Sequence, residues 1–458
     1  SYKNRIHDCF DQYNFSNGFD AGSHDSKFQK TIVKKVLIIT YYWPPAGGPG
    51  VQRWLKFVKY LPDFGIQPIV YCPENPSYPT LDPSLVSEVN TGLTVLKTPI
   101  SEPYKWAQLF SKSKTNHLSK GLISNQKKQS ILEKLLLFVR GNFFIPDARV
   151  SWVRPSVSFL SDYITTHQID TIITTGPPHS LHLIGLKLKQ LHSLKWIADF
   201  RDPWTQIGYH KKLKLSSFAK KKHQALEREV LNGADELVVT SLQTKQLFSE
   251  LTNTPIAVIT NGFDFDISNP RSLDSKFSLS HIGSLLEGRN PKVLWKVLSD
   301  LVKESEAFSS AFQLNLIGSV SSNVMDSIGS FGLENHIHNH GYVSHIEALE
   351  FQKNAQMLLL IEENSKETEY IIPGKLFEYM ASKRPIIAIG PNTSDIEKII
   401  NQTNSGTYFR YDDESLLRTT LMQHFEAFYS QQLFANSKGL DLYSRKYLTQ
   451  QLSKIILK

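Results

Sequence analysis

Pro373 and Gly374 open a helical pattern in which Lys375 falls in the first turn and Glu378 follows three residues on, so both project from one face. A cation at that end opposes the helix dipole by about 0.3–1 kcal/mol, a cost that reverses when a phosphate shares the helix end. The Glu378 carboxylate can accept two hydroxyl protons from a ribose held there; the plainer alternative is an ion pair with Lys375 on a solvated face. Far upstream, Gly47, Gly48 and Gly50 lie between an apolar run and a helical one, where glycine lets backbone amides approach a phosphate. Their spacing matches neither G-x-G-x-x-G nor a Walker loop, so a tight turn with no ligand is the alternative.

Titratable groups stand in two more loops. Thr174 to Ser180 contains His179, and Ala198 to Trp204 contains Asp199, Arg201 and Asp202. Each loop follows an apolar run, which puts both on one edge of a sheet and makes these four residues candidates for catalysis. The structural alternatives are an internal Asp/Arg pair that stiffens the turn before Pro203, and a loop histidine satisfied by its neighbours. Cys9 and Cys72 are the only cysteines, too few for a disulfide framework or a C-x-x-C metal cluster. No D-x-D-like acidic pair stands at a phosphate position, and no metal is expected.

The elements that hold these residues alternate short apolar runs with helical spacing. Val36 to Thr40, Pro68 to Tyr71, Thr171 to Thr174, Lys195 to Asp199, Glu236 to Thr240 and Ile256 to Ile259 read as buried parallel strands. A second series runs through Ser278 to Gly283, Phe312 to Ile317, Met357 to Ile361 and Pro385 to Ile389. Val51, Leu55, Val58 and Leu61 give the first helix, and Leu448, Leu452, Ile455 and Ile456 a last one with one packed face. The expected fold class is α/β, two doubly wound domains facing a cleft. Expected boundaries are a poorly ordered extension over 1–33, a first domain over 34–265, a second over 266–440, and a C-terminal helix over 441–458 that packs back on the first.

At 458 residues, 40% hydrophobic and 21% charged, the chain suits two sizeable cores. No window reaches 18 consecutive apolar residues and no export signal is recognised, so the expectation is a cytoplasmic protein without a membrane span. The net charge of +8 suits anionic partners. Much of it lies in two stretches: Lys105, Lys112, Lys114, Lys120, Lys127, Lys128, Lys134 and Arg140; then Lys211, Lys212, Lys214, Lys220, Lys221 and Lys222. These predict reversible association with an anionic membrane surface, against the alternative of a solvated helix face. They lack the interleaved aromatics of a nucleic-acid site, and no nucleic-acid partner is expected.

The run from Pro373 to Ile387 resembles the donor-nucleotide motif of glycosyltransferase family 4, enzymes of the GT-B fold with two Rossmann-like domains. Gly47 to Arg53 is similar to the family's first-loop glycine motif, Val238 to Ser241 and Ile259 to Asp264 to the strands entering its linker, and His281 to Ser284 to the first strand of its nucleotide-binding half. These pieces occur in the family's order across residues 34–458. Asp199 to Trp204 is similar to a D-F-R-D-P-W motif of a bacterial branch associated with surface polysaccharide synthesis.

The resemblance implies retaining, metal-independent transfer of a hexose from a nucleotide-sugar to a carbohydrate or lipid-linked acceptor, with no cofactor beyond the donor itself. It assigns the leaving diphosphate to Arg289 and Lys375, the ribose to Glu378 and the backbone approach to Gly48 and Gly50, with Ser284 also among the donor-binding residues. His179, Asp199, Arg201 and Asp202 stay on the acceptor or donor-sugar side. Three positions depart from the family. Tyr370 replaces its first glutamate, with Glu369 one step off register; Ser284 replaces an arginine, which moves the phosphate cation to Arg289; and Arg201 stands where many members have histidine. A nucleotide-sugar epimerase of the same fold and a non-catalytic nucleotide-sugar-binding protein are the alternative readings.

Overall fold

A computed structural model of the chain describes residues 34–102, 131–208, 210, 213–264 and 272–458. The expected extension over 1–33, the 265–266 junction, the Lys134 side chain and Lys105, Lys112, Lys114, Lys120, Lys127, Lys128, Lys211 and Lys212 lie outside the described residues.

Two wholly parallel sheets form the frame. The first contains β1 (Lys34–Ile39), β2 (Ile66–Pro73), β3 (Thr94–Thr98), β4 (Thr171–Gly176), β5 (Lys195–Phe200), β6 (Glu236–Val239) and β7 (Ile256–Val258), in the order β3-β2-β1-β4-β5-β6-β7. The second contains β8 (Phe277–Ile282), β9 (Phe312–Ile317), β10 (Ile337–Gly341), β11 (Met357–Ile361), β12 (Ile386–Gly390) and β13 (Gly406–Arg410), in the order β10-β9-β8-β11-β12-β13. Strand periodicity divides each core in two. Leu37 and Ile39 face one hydrophobic cluster and Val36 and Ile38 another, just as Leu359 and Leu360 face opposite sides of the second sheet. Continuous apolar runs therefore become central strands covered on both faces.

β3, β10 and β13 were not anticipated. All three are sheet edges, and their sequences TVLKT, IHNHG and GTYFR mix apolar with polar residues and lack such a run.

The last helix, Arg445–Leu457, returns to the first half. Leu448, Leu452 and Ile456 join the cluster that contains Trp54, Leu55 and Val58 of the first helix, Pro49–Tyr60. Phe263 N donates to Tyr443 O at 3.1 Å and Arg445 N to Phe263 O at 2.8 Å, which lays the returning chain beside the outgoing one.

A buried ion pair locks the first helix onto β5. Arg53 is 0% and Asp199 1% exposed. Asp199 accepts from Arg53 Nη2 at 2.8 Å, Arg53 Nε at 3.3 Å, Trp54 Nε1 at 2.9 Å and Thr175 Oγ1 at 2.8 Å, while Arg53 Nη1 donates to Thr260 O at 2.9 Å. Burial by itself raises the Asp199 carboxyl, but the Arg53 charge and these hydrogen bonds outweigh it and hold the group below the usual carboxylate range.

Arg53→Ala strands a buried carboxylate and is expected to cost about 3–5 kcal/mol. Arg410→Ala, at the partly exposed Arg410–Glu397 pair, is expected to cost about 1 kcal/mol or less. Urea unfolding followed by tryptophan fluorescence compares the two; equal losses would show that the buried pair does not lock the helix.

Candidate functional site

Strand order reverses between β1 and β4 in the first sheet and between β8 and β11 in the second. Ligands of doubly wound sheets bind beyond the strand ends at such points. Both switch points are furnished with the residues singled out by type and spacing, together with several that were not.

On the second half, Lys375 sits in the first turn of the helix Gly374–Ala381. A Cβ built on Gly283, just past β8, would lie 3.6 Å from Lys375 Nζ, so the ammonium covers that glycine. Lys375 makes no hydrogen bond or ion pair among the described residues, which removes the plain Lys375–Glu378 pair. Glu378 instead accepts from Gln352 Nε2 at 3.4 Å. Arg289 Nη2 lies 3.3 Å from Oε2 of Glu362, a nearly buried acid at the end of β11. Burial pushes the Lys375 ammonium down to about 8; Arg289 adds to the fall, and Glu362 and Glu378 oppose it. Ser284 is exposed in the loop after β8, beside this group.

Opposite these residues, the first half contributes Gly48 to a cleft cavity of about 710 Å³ that Lys375, Glu378, Tyr342 and Arg445 also line. Gly48 adopts φ 101°, a left-handed conformation that glycine accepts without strain. Gly50 has a different task from the backbone approach expected of it. A Cβ there would meet Arg201 Nη1 at 1.8 Å, so the glycine makes room for a guanidinium.

Arg201 gives its donors to the backbone. Its Nε reaches Gly176 O at 3.3 Å, its Nη2 reaches Pro177 O, and its guanidinium lies 5.6 Å from the centre of the Tyr42 ring. The side chain thus clamps the loop after β4, the one that carries His179. Asp199 is corrected from a cleft acid to an internal one: all of its contacts are those of the Arg53 network, and its ion-pair partner is Arg53 rather than Arg201.

His179 and Asp202 meet in a second cavity, about 340 Å³, on the same edge of the first sheet, with Tyr42, Trp204, His210 and Arg149. His179 stacks on Trp204 with centroids 4.9 Å apart and rings within 2° of parallel. Neither of its buried ring nitrogens has a hydrogen-bond partner. Burial, reinforced by His182 and Arg201, holds the imidazole well below its usual value and therefore neutral at pH 7. Burial also raises the Asp202 carboxyl, against the pull of Arg201.

Glu362, Gln352 and Arg445 were missed. Glu362 had a signal, since it directly follows the Met357 to Ile361 run. Gln352 and Arg445 had none, because what each one meets, Glu378 for the first and the cleft cavity for the second, is built from other elements. Among the described residues no three histidine, cysteine or carboxylate side chains group as a metal site, and no helix is long and apolar enough to cross a membrane.

No protein-family model and no curated protein matches the sequence. The fold is similar to that of a glycosyltransferase from Rickettsia africae ESF-5, at TM-score 0.58 and 15% identity over 93% of this chain and 99% of that one. It is similar to Anabaena HepE in complex with UDP, at TM-score 0.60 and 12% identity over 92% and 99%. WaaG, a glycosyltransferase involved in lipopolysaccharide biosynthesis, is similar at TM-score 0.52 and 13% identity over 92% and 99%. At such identities the likeness is one of fold: two parallel sheets of seven and six strands in the GT-B arrangement of these glycosyltransferase structures.

Proposed function

We propose that the chain transfers a sugar from a nucleotide-sugar donor to a carbohydrate or lipid-linked acceptor, with retention and without a metal, in surface polysaccharide synthesis at the cytoplasmic face of a membrane. The observation that carries this reading is Lys375, an ammonium with no partner among the described residues, held beside Arg289 at the switch point of the second sheet and across the cavity from Gly48. Solved structures of HepE, of similar fold, contain UDP and UDP-glucose, which supports a nucleotide-sugar donor. WaaG's involvement in lipopolysaccharide biosynthesis supports the polysaccharide role.

The chemistry follows from charge. As the bond from the anomeric carbon to the diphosphate breaks, negative charge collects on the leaving group, and Lys375 with Arg289 stabilises it in a partly closed cleft. Glu378 holds the ribose hydroxyls. The acceptor hydroxyl enters from the side of the His179–Asp202 cavity and forms the new bond to the anomeric carbon on the face the diphosphate leaves, so its proton passes to a diphosphate oxygen. His179, neutral at pH 7, and Asp202 orient that hydroxyl.

The acceptor-side cavity opens beside a basic and aromatic surface. Lys214, Lys220, Lys221 and Lys222 are exposed around Phe218, itself 75% exposed at the start of the helix Ser217–Gly233. Asn142 ties the helix Ile131–Phe143 to this region by bonds with Lys214 O at 3.3 Å and Ser216 N at 2.7 Å, which brings Phe143, 73% exposed, alongside. Arg140, His210 and Leu213 of the same region line the cavity, which suits an acceptor presented from a lipid surface.

Thermal shifts with UDP-, GDP-, ADP- and TDP-sugars test the donor site. A cognate donor at 100 times its dissociation constant adds about 2.7 kcal/mol of apparent stability. Glu378→Gln is expected to weaken that donor about tenfold, and EDTA to leave transfer intact. Silence across the panel, or conversion of donor without acceptor, would count against transfer.

Donor affinity is expected to hold below about pH 8 and to fall above it by up to tenfold per unit, because the free enzyme then loses the Lys375 proton. In Lys375→Arg the affinity stays flat to pH 9. An unchanged decline in that variant would detach the pH dependence from Lys375.

In vesicle sedimentation, changing Lys220, Lys221 and Lys222 to Gln together is expected to weaken binding to anionic liposomes about a hundredfold, at about 1 kcal/mol per lysine. Equal binding of the unaltered protein to neutral and anionic vesicles would remove the membrane surface from the proposal.

A further inference from the structure

The returning helix begins at the cleft, and its first residue is Arg445. The side chain is 6% exposed and lines the 710 Å³ cavity with Lys375 and Glu378. Its Nη1 is buried and lacks a hydrogen-bond partner, and it makes no ion pair among the described residues. A guanidinium nitrogen left in this state is costly, since folding removes that N–H group from water without compensation.

Of the charges around it, Asp264 and Arg53 are already in ion pairs, and Glu378 holds no ion pair with it. Asp264 takes Lys56 at 2.8 Å, Lys59 at 3.0 Å and Tyr60 Oη at 2.5 Å. Arg53 holds Asp199, and Glu378 accepts from Gln352. Burial, with Arg53 adding to it, pushes Arg445 down to about 9 against the pull of Asp264 and Glu378, so it stays charged at pH 7. Arg445 also repeats the placement of Lys375: each is a cation in the first turn of a helix that starts on this cavity, against the dipole of that helix. An oxyanion between the two helix ends reverses both penalties.

We infer that Arg445 binds a phosphate oxyanion of the ligand held by Lys375, as a guanidinium supplied to the cleft by the first half of the molecule. The inference rests on the nucleotide-sugar reading in that the oxyanion belongs to the donor diphosphate. Leu448 and Leu452 fix the helix in the core of the first half, and the Arg445 amide is bonded to Phe263 O at 2.8 Å, so the guanidinium moves with that half. Lys375 moves with the other. The diphosphate then links the two.

Calorimetric titration of wild type, Arg445→Gln and Arg445→Lys with inorganic pyrophosphate, with UDP, GDP, ADP and TDP, and with the matching nucleosides tests this. Arg445→Gln is expected to weaken pyrophosphate and the cognate nucleoside diphosphate at least tenfold, Arg445→Lys about threefold, and neither to alter nucleoside binding. The melting temperature of unliganded Arg445→Gln is expected to equal or exceed that of wild type, because a buried unpaired charge has gone. Undiminished diphosphate binding by Arg445→Gln overturns the inference and leaves the nucleotide-sugar reading standing. A lowered melting temperature in both variants, with nucleoside binding lost as well, overturns it in favour of a structural role. Arg445-dependent pyrophosphate binding without any nucleoside diphosphate binding supports the anion site and sinks the nucleotide reading instead.

Discussion

The ion pair between Arg53 and Asp199 is the contact on which the first half of the molecule is arranged. It joins the first helix to the end of β5 and, through Thr260 O, to the segment that leaves the sheet. Four donor atoms converge on one carboxylate in a dry interior, where an unpaired charge is not tolerated. With the helix fixed, Gly50 presents a bare backbone to Arg201, and Arg201 in turn grips the carbonyls of Gly176 and Pro177. His179 and Asp202 face their cavity because of this chain of contacts.

Charge is treated differently in the two regions of the protein. Where it only holds structure, it is matched: Arg53 by Asp199, and Lys56 and Lys59 by Asp264. In the cleft it is not. Lys375 and Arg445 lack partners among the described residues, and Arg289 shares Glu362 at the long distance of 3.3 Å. The charges that only hold structure are thus satisfied within the chain, and positive potential stays in the cleft.

How much of this was legible in the sequence depended on what each residue touches. Central strands announce themselves because both faces are apolar, as in Leu358 to Ile361; the edges β3, β10 and β13 do not, since polar residues interrupt the few apolar ones in each. The helix that begins at Gly374 was readable because Pro, Gly and a misplaced lysine are all local signals. Asp199 and Arg201 sit two residues apart and invite pairing, yet the partner of Asp199 is 146 residues away in the chain. Gly50 likewise serves a side chain no local pattern reveals. Arg445 was hidden for a similar reason: the visible feature of its helix was an apolar stripe, and only the returning chain brings its first turn to the cleft.

That return means the polypeptide passes between the two halves twice, and the passages lie side by side, with Phe263 bridged to Ser444 and hydrogen-bonded on both sides. A single strand between two bodies would permit bending, twisting and sliding alike. Two strands pinned to each other resist twisting and sliding far more than rotation about the line that crosses them both, as two pins define the axis of a door. Rotation about that line changes a single angle, and it must break the bonds that join the halves elsewhere, Ser241 Oγ to Tyr370 O at 2.9 Å and Gln243 N to Asp395 Oδ2 at 3.0 Å. Because Arg445 adjoins the pins, its guanidinium sweeps only a short arc as that angle changes, whereas groups at the far rim of the cleft travel much further.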